Sequence, residues 1–141
     1  MLTINYWAVL LSAVSSMGVG ALWYSMPVFG RTWARLAKVD MDAGKSPLVP
    51  LLSAFVASMI TAWVLALAIA MTWHVVYGSF LMVALAVAVL IWAGFVASRF
   101  VTHDAFEGRP PKLTLLNVAN EAVTLFVMAA IIGLWPPVGT V

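Results

Sequence analysis

Four apolar stretches, each of about 20 residues, are separated by three polar gaps, and this pattern leaves the chain one class of fold. The stretches run over roughly Ile4–Tyr24, Leu51–Trp73, Ser79–Val101 and Leu113–Trp135. Each is long enough to cross a bilayer at about 1.5 Å of rise per residue. Lipid offers a peptide group no hydrogen-bond partner, so a spanning segment must be a helix or part of a closed barrel. The alternation that barrel strands need is missing. Breakers mark the ends: Pro27, Pro47 and Pro50 around the first gap, Gly78 at the second, Pro110-Pro111 and Pro136-Pro137 around the last stretch. Only 9% of the 141 residues are charged, against about 25% in a soluble domain. The expectation is a single all-α, polytopic membrane domain over residues 1–141, with four transmembrane helices in two hairpins.

The seven basic residues are confined to two gaps. Arg31, Arg35, Lys38 and Lys45 lie in the first, within a loop over residues 26–50. Arg99, Arg109 and Lys112 lie in or beside the third. Cytoplasmic loops retain Lys and Arg, so these gaps face the cytoplasm and both termini face outward. In a bacterium this means a multi-pass protein of the inner membrane with periplasmic termini. The same residues suit anionic lipid headgroups, where each is worth roughly 1 kcal/mol. Nucleic acid is not an expected partner, because the charges are few and Asp40, Asp42, Asp104 and Glu107 offset them. Cysteine is absent, which excludes disulfides and thiol chemistry. Met1-Leu2-Thr3-Ile4-Asn5 has no basic n-region, so the first stretch reads as a retained span.

Aromatic rings agree with these boundaries. Tyr6, Trp7, Trp73, Tyr77 and Trp135 fall at the outer interface, and Trp23, Tyr24 and Trp33 at the inner one. Trp63 and Trp92 lie inside their spans, where an indole N–H wants a partner, so both are expected to face other helices. Membrane helices pack closely through small residues. Ser12, Ser16 and Gly20 recur at intervals of four, as do Ala54, Ser58, Ala62, Ala66 and Ala70. Gly94 and Ser98 offer a stripe on span three, Ala129 and Gly133 on span four. These stripes serve packing within a four-helix bundle or a homo-oligomer interface. In the first loop Arg31, Arg35 and Lys38 share one helical face, and Trp33, Leu36 and Ala37 another. That pattern predicts a short in-plane helix with its charges at headgroups.

Glu121 carries the strongest functional signal. It lies about eight residues into span four, roughly 12 Å below the interface. A central acid costs about 2.5–3.5 kcal/mol on insertion scales, so it must be protonated, paired or beside water. Thr114, Asn117, Glu121, Thr124 and Met128 share its face, and Asn120 is adjacent. On span three Trp92, Phe95, Arg99 and His103 follow the same steps. The expected intramembrane polar cluster is therefore Arg99, His103, Asn117, Asn120 and Glu121. It reads either as a buried Arg99–Glu121 pair that pins the hairpin, or as an ion-handling or small-ligand site. No catalytic residues or metal ligands are predicted: His74 and His103 fall on opposite membrane faces, and no known catalytic motif is present. These residues identify no cofactor.

Three segments carry a family resemblance. Gly20-Ala21-Leu22-Trp23-Tyr24-Ser25 with Phe29-Gly30 and Trp33 is one. Phe106-Glu107-Gly108-Arg109-Pro110 with Lys112-Leu113 is the second, and Gly133-Leu134-Trp135 the third. Together they resemble the signature of a family of small bacterial membrane proteins, domain of unknown function 1761. The resemblance runs from Tyr6 to Trp135 and implies four spans and no established activity. It also implies Tyr-His where this chain has Asn120-Glu121, an acid in place of an imidazole. The two loop motifs fall on the same membrane side, and they are expected to pack together around Trp33 and Arg109. The functional expectation is a non-enzymatic membrane protein, either self-assembling or an accessory subunit of an inner-membrane complex. The alternative is a small oligomeric transporter or channel with a polar site at Glu121.

Overall fold

The computed structural model describes residues 3–39 and 46–140. Met1, Leu2, Asp40, Asp42 and Lys45, used above, lie outside the described residues. Everything regular in the described chain is helical. Helix α1 spans Tyr6–Trp23, followed by a π turn at Met26–Gly30 and a short α2 at Arg31–Ala37. Helix α3 spans Leu48–Val76. The third long helix is continuous but changes winding: α4 over Phe80–Ile91, a π segment over Trp92–Ala97, and α5 over Ser98–Phe106. Helix α6 spans Pro111–Leu134. Four helical rods, Tyr6–Trp23, Leu48–Val76, Phe80–Phe106 and Pro111–Leu134, are long and apolar enough to cross a membrane. The chain is an all-α polytopic membrane protein.

The ends follow local chemistry. Asn5 caps α1, its side chain accepting from the backbone N–H groups of Trp7 and Ala8. The same side chain donates to the Trp135 carbonyl at 3.2 Å, tying the start of α1 to the end of α6. Pro50, expected to break the chain, lies inside the first turn of α3. There its missing N–H removes no helical hydrogen bond, since the first N–H groups of a helix have no partner. Three residues, Tyr77 to Ser79, join α3 to α4. Tyr77 adopts φ 50° and Gly78 φ 148°, and Ser79 caps α4.

Around the bundle, α6 packs on α1 and α4, while α3 packs on α1 and α4; α3 and α6 meet only narrowly across the diagonal. The core sits toward the end that holds the Tyr77–Ser79 turn, here the turn end. Its centre is Val9, Leu65, Ile69, Leu125 and Met128, each almost wholly buried. Small residues let the backbones approach. A Cβ on Gly133 would lie 2.9 Å from Leu81 Cα. Ser12, Ser16, Ala62 and Ala66 are buried between helices, and the Ser12 hydroxyl donates to the Met128 carbonyl at 3.3 Å. Ala54 is exposed and Ser58 half-buried, so the stripe on α3 is covered only from Ala62 onward. Gly94 and Ser98 are exposed and contribute no packing stripe. Large apolar side chains such as Leu90, Leu115 and Val49 point outward, as a lipid-facing surface requires.

Candidate functional site: a lateral cleft at the basic end

The two inward-facing tryptophans expected above separate. The Trp92 indole N–H donates to the Val118 carbonyl at 2.9 Å, joining the third rod to α6. Trp63 is 44% exposed and lies in a shallow surface groove with Tyr6, Trp7 and Met59. It borders α1 there, but the α1 side chains around it leave the groove open and the ring uncovered.

Arg99 and His103 do not join the polar cluster. Both are exposed, and among the described residues Arg99 forms no ion pair. The cause is the π segment. An α-helix advances 100° per residue, so an unbroken helix would carry the inward face from Trp92 through Phe95 and Arg99 to His103. A π turn takes an extra residue, and the inward face moves on by one. Phe95 is 74% exposed, whereas Val96, Ala97 and Phe100 are partly covered and Asp104 is buried. The expected Arg99–Glu121 pair is thereby excluded, and Glu121 has no cation beside it among the described residues.

Asp104 holds the loop before α6 instead. Its carboxylate accepts from the Thr114 hydroxyl at 2.7 Å, and the Arg109 Nε lies 3.7 Å away. The Asp104 carbonyl accepts from the Arg109 backbone N–H at 2.9 Å. Arg109 also pairs with Glu107 at 2.6 Å, and Gly108 turns the chain at φ 65°. Sequence reasoning passed over Asp104, because a regular helix would turn it away from α6.

In the first loop, α2 forms as predicted, with Arg31, Arg35 and Lys38 exposed and Trp33, Leu36 and Ala37 half-buried. Lys38 ends it in the left-handed conformation at φ 54°. Gly30 is required sterically, since a Cβ there would lie 2.8 Å from the Ser25 carbonyl oxygen. The two loops face each other across a cavity of about 470 Å³ that Trp33, Lys38, Arg109 and Asn117 help to line. Lys112 is exposed at the start of α6.

Glu121 and Asn120 belong to a second, larger cavity. From Leu48 to Thr61 no residue of α3 is buried, and α3 does not touch the π segment or α5. Among the described residues, the basic half of the bundle is thus open on one side. The opening is a lateral cleft of about 730 Å³ between α1, α3 and α6. Met17, Leu51, Leu125 and Met128 supply apolar wall; Ser16, Ser58, Thr61, Asn120, Glu121 and Thr124 supply polar groups. Gly20 and Ala54 line it as well, leaving room rather than filling it. Tyr24 and Trp33 stand at its basic end, ring edge to ring face at 5.3 Å. The Tyr24 hydroxyl donates to Asn117 Oδ1 at 3.2 Å, so Asn117 joins the two cavities through Tyr24. Asn120 is 7% exposed, and its Oδ1 has no hydrogen-bond partner. Tyr24 showed in the sequence only as an interfacial ring, and nothing there signalled its hydroxyl contact.

The fold and the cleft define a four-span helical membrane protein with a polar site open to one side. The chain belongs to the family described as "Protein of unknown function (DUF1761)", whose model matches residues 7–133. No curated protein and no solved structure matches it.

Proposed function

We propose that the chain is a non-enzymatic binding and translocation unit of the bacterial inner membrane, with the cleft around Glu121 as its site. One observation carries this reading: the only acidic or basic side chain lining the cleft among the described residues is Glu121, and among them it has no ion-pair partner. An acid inside the membrane is costly and is a functional candidate by default, and lining an open cleft supports that role over a purely structural one. The positive-inside rule supports a cytoplasmic basic end. Arg31, Arg35 and Lys38 on α2, with Lys112, suit anionic headgroups there.

The accessory-subunit or self-assembly reading has its own support. Ser53, Ala54 and Ala57 are exposed on the uncovered half of α3, a surface suited to close helix packing. Native mass spectrometry of protein drawn gently from its own membranes separates the readings. A bound molecule of a few hundred daltons, lost in Glu121→Gln while the helical circular dichroism persists, is the expected result. A stoichiometric unrelated subunit with an empty cleft would replace the binding reading with the accessory one.

A further inference from the structure

We infer that the cleft takes a cationic amphiphile: an ammonium bearing N–H groups, attached to a hydrocarbon body. This rests on the reading of the cleft as a binding site and names the ligand's chemistry. Beside the hydroxyls of Ser58, Thr61 and Thr124, which can donate or accept, two acceptors stand out. Among the described residues Glu121 offers a carboxyl group without a counter-ion, and Asn120 Oδ1 is buried without a donor. Two nearby donors are already used: the Tyr24 hydroxyl on Asn117, and the Ser16 hydroxyl on the Ala13 carbonyl at 2.7 Å. A buried acceptor without a donor costs free energy that a ligand N–H would recover. An ammonium supplies up to three such donors and the missing positive charge.

The remaining walls select the rest of the molecule. Met17, Leu51, Leu125 and Met128 suit a hydrocarbon body. The rings of Tyr24 and Trp33 offer π faces along the entrance. An anionic amphiphile of the same length would bring its charge against Glu121. A neutral one would leave the carboxylate uncompensated. The lateral opening beside α3 lets such a molecule enter from the lipid, where amphiphiles concentrate.

Equilibrium binding of tritiated dodecylamine to the full chain in zwitterionic nanodiscs tests this, with empty discs as background. Saturable one-site binding is expected, displaced by unlabelled dodecylamine but not by equal dodecanoate or dodecanol. Glu121→Gln should weaken it by about tenfold or more, equivalent to 1.4 kcal/mol, and Asn120→Leu should weaken it as well. Arg99→Gln should leave it unchanged. Because Glu121→Gln acts from inside the bundle, Ala57→Trp provides an independent block from the exposed face of α3. Binding of all three amphiphiles alike, insensitive to Glu121→Gln, would overturn the cationic assignment and leave the cleft a binding site. No saturable binding of any of the three would overturn both.

Discussion

Trp92 donates its indole N–H to the Val118 carbonyl at 2.9 Å, at the point where the third rod passes from α to π winding. The bond fixes how the third and fourth spans face each other, and with it which side chains reach the cleft. Trp92→Phe keeps a ring and removes the donor. Interhelical hydrogen bonds in membranes average about 0.6 kcal/mol with a maximum near 1.7. A loss within that range is the expected result in reversible unfolding from mixed micelles. No measurable loss would mean the bond does not hold the two rods.

Arg99 and Glu121 should behave as strangers. Neutralising one partner of a buried pair strands the other and costs about 3–5 kcal/mol. Here Arg99 is exposed and forms no ion pair among the described residues. Arg99→Gln is therefore expected to change stability by less than about 0.5 kcal/mol. The double-mutant cycle with Glu121→Gln should give a coupling energy near zero. A coupling above about 1 kcal/mol would restore the ion pair and remove the free carboxylate from the cleft.

Asp104 and Thr114 should show the opposite behaviour. Their 2.7 Å hydrogen bond joins the end of α5 to the first turn of α6. Asp104→Ala and Thr114→Val are each expected to lower the unfolding temperature and to speed proteolysis between Phe106 and Lys112. The double variant should be little worse than Asp104→Ala alone, since both remove the same contact. Strict additivity in thermal melts would show that the contact contributes nothing.

Two glycines give a paired test of packing. Gly133 has Leu81 Cα 2.9 Å from where its Cβ would be, while Gly20 has nothing within 4 Å. Gly133→Val overpacks the α4–α6 contact and is expected to cost about 1–3 kcal/mol. Gly20→Ala should be neutral or slightly stabilising, because alanine is the better helix former. Equal losses at both positions would contradict the close approach at Gly133.

Much of the fold was legible because bilayer thickness is a length the sequence has to meet. The four apolar stretches, the prolines after Gly108 and the small residues Ser12, Ser16, Ala62 and Ala66 all carry that requirement openly. The candidate site was legible only in half. Asn117, Asn120 and Glu121 lie on a regular helix, so counting by threes and fours places them correctly. Arg99 and His103 lie beyond a π segment, where the same count runs one residue early. No residue between Trp92 and Ala97 announces that change; Gly94 is open on all sides and marks no contact. Asp104 was hidden by the same shift. Trp63 shows a different limit, since depth in the membrane does not say how fully a neighbouring helix covers a ring.

Helix α3 is fully buried only toward one end. Its buried residues begin at Ala62 and cluster around Ile69, and a three-residue turn ties its far end to α4. The 14 residues from Leu48 to Thr61 that precede this buried stretch make an arm of about 21 Å. A tilt of about 5° about Ala62 carries Leu48 through about 2 Å. A lever of this shape turns a small rearrangement among the alanines near one face of the membrane into a larger displacement at the mouth of the cleft near the other.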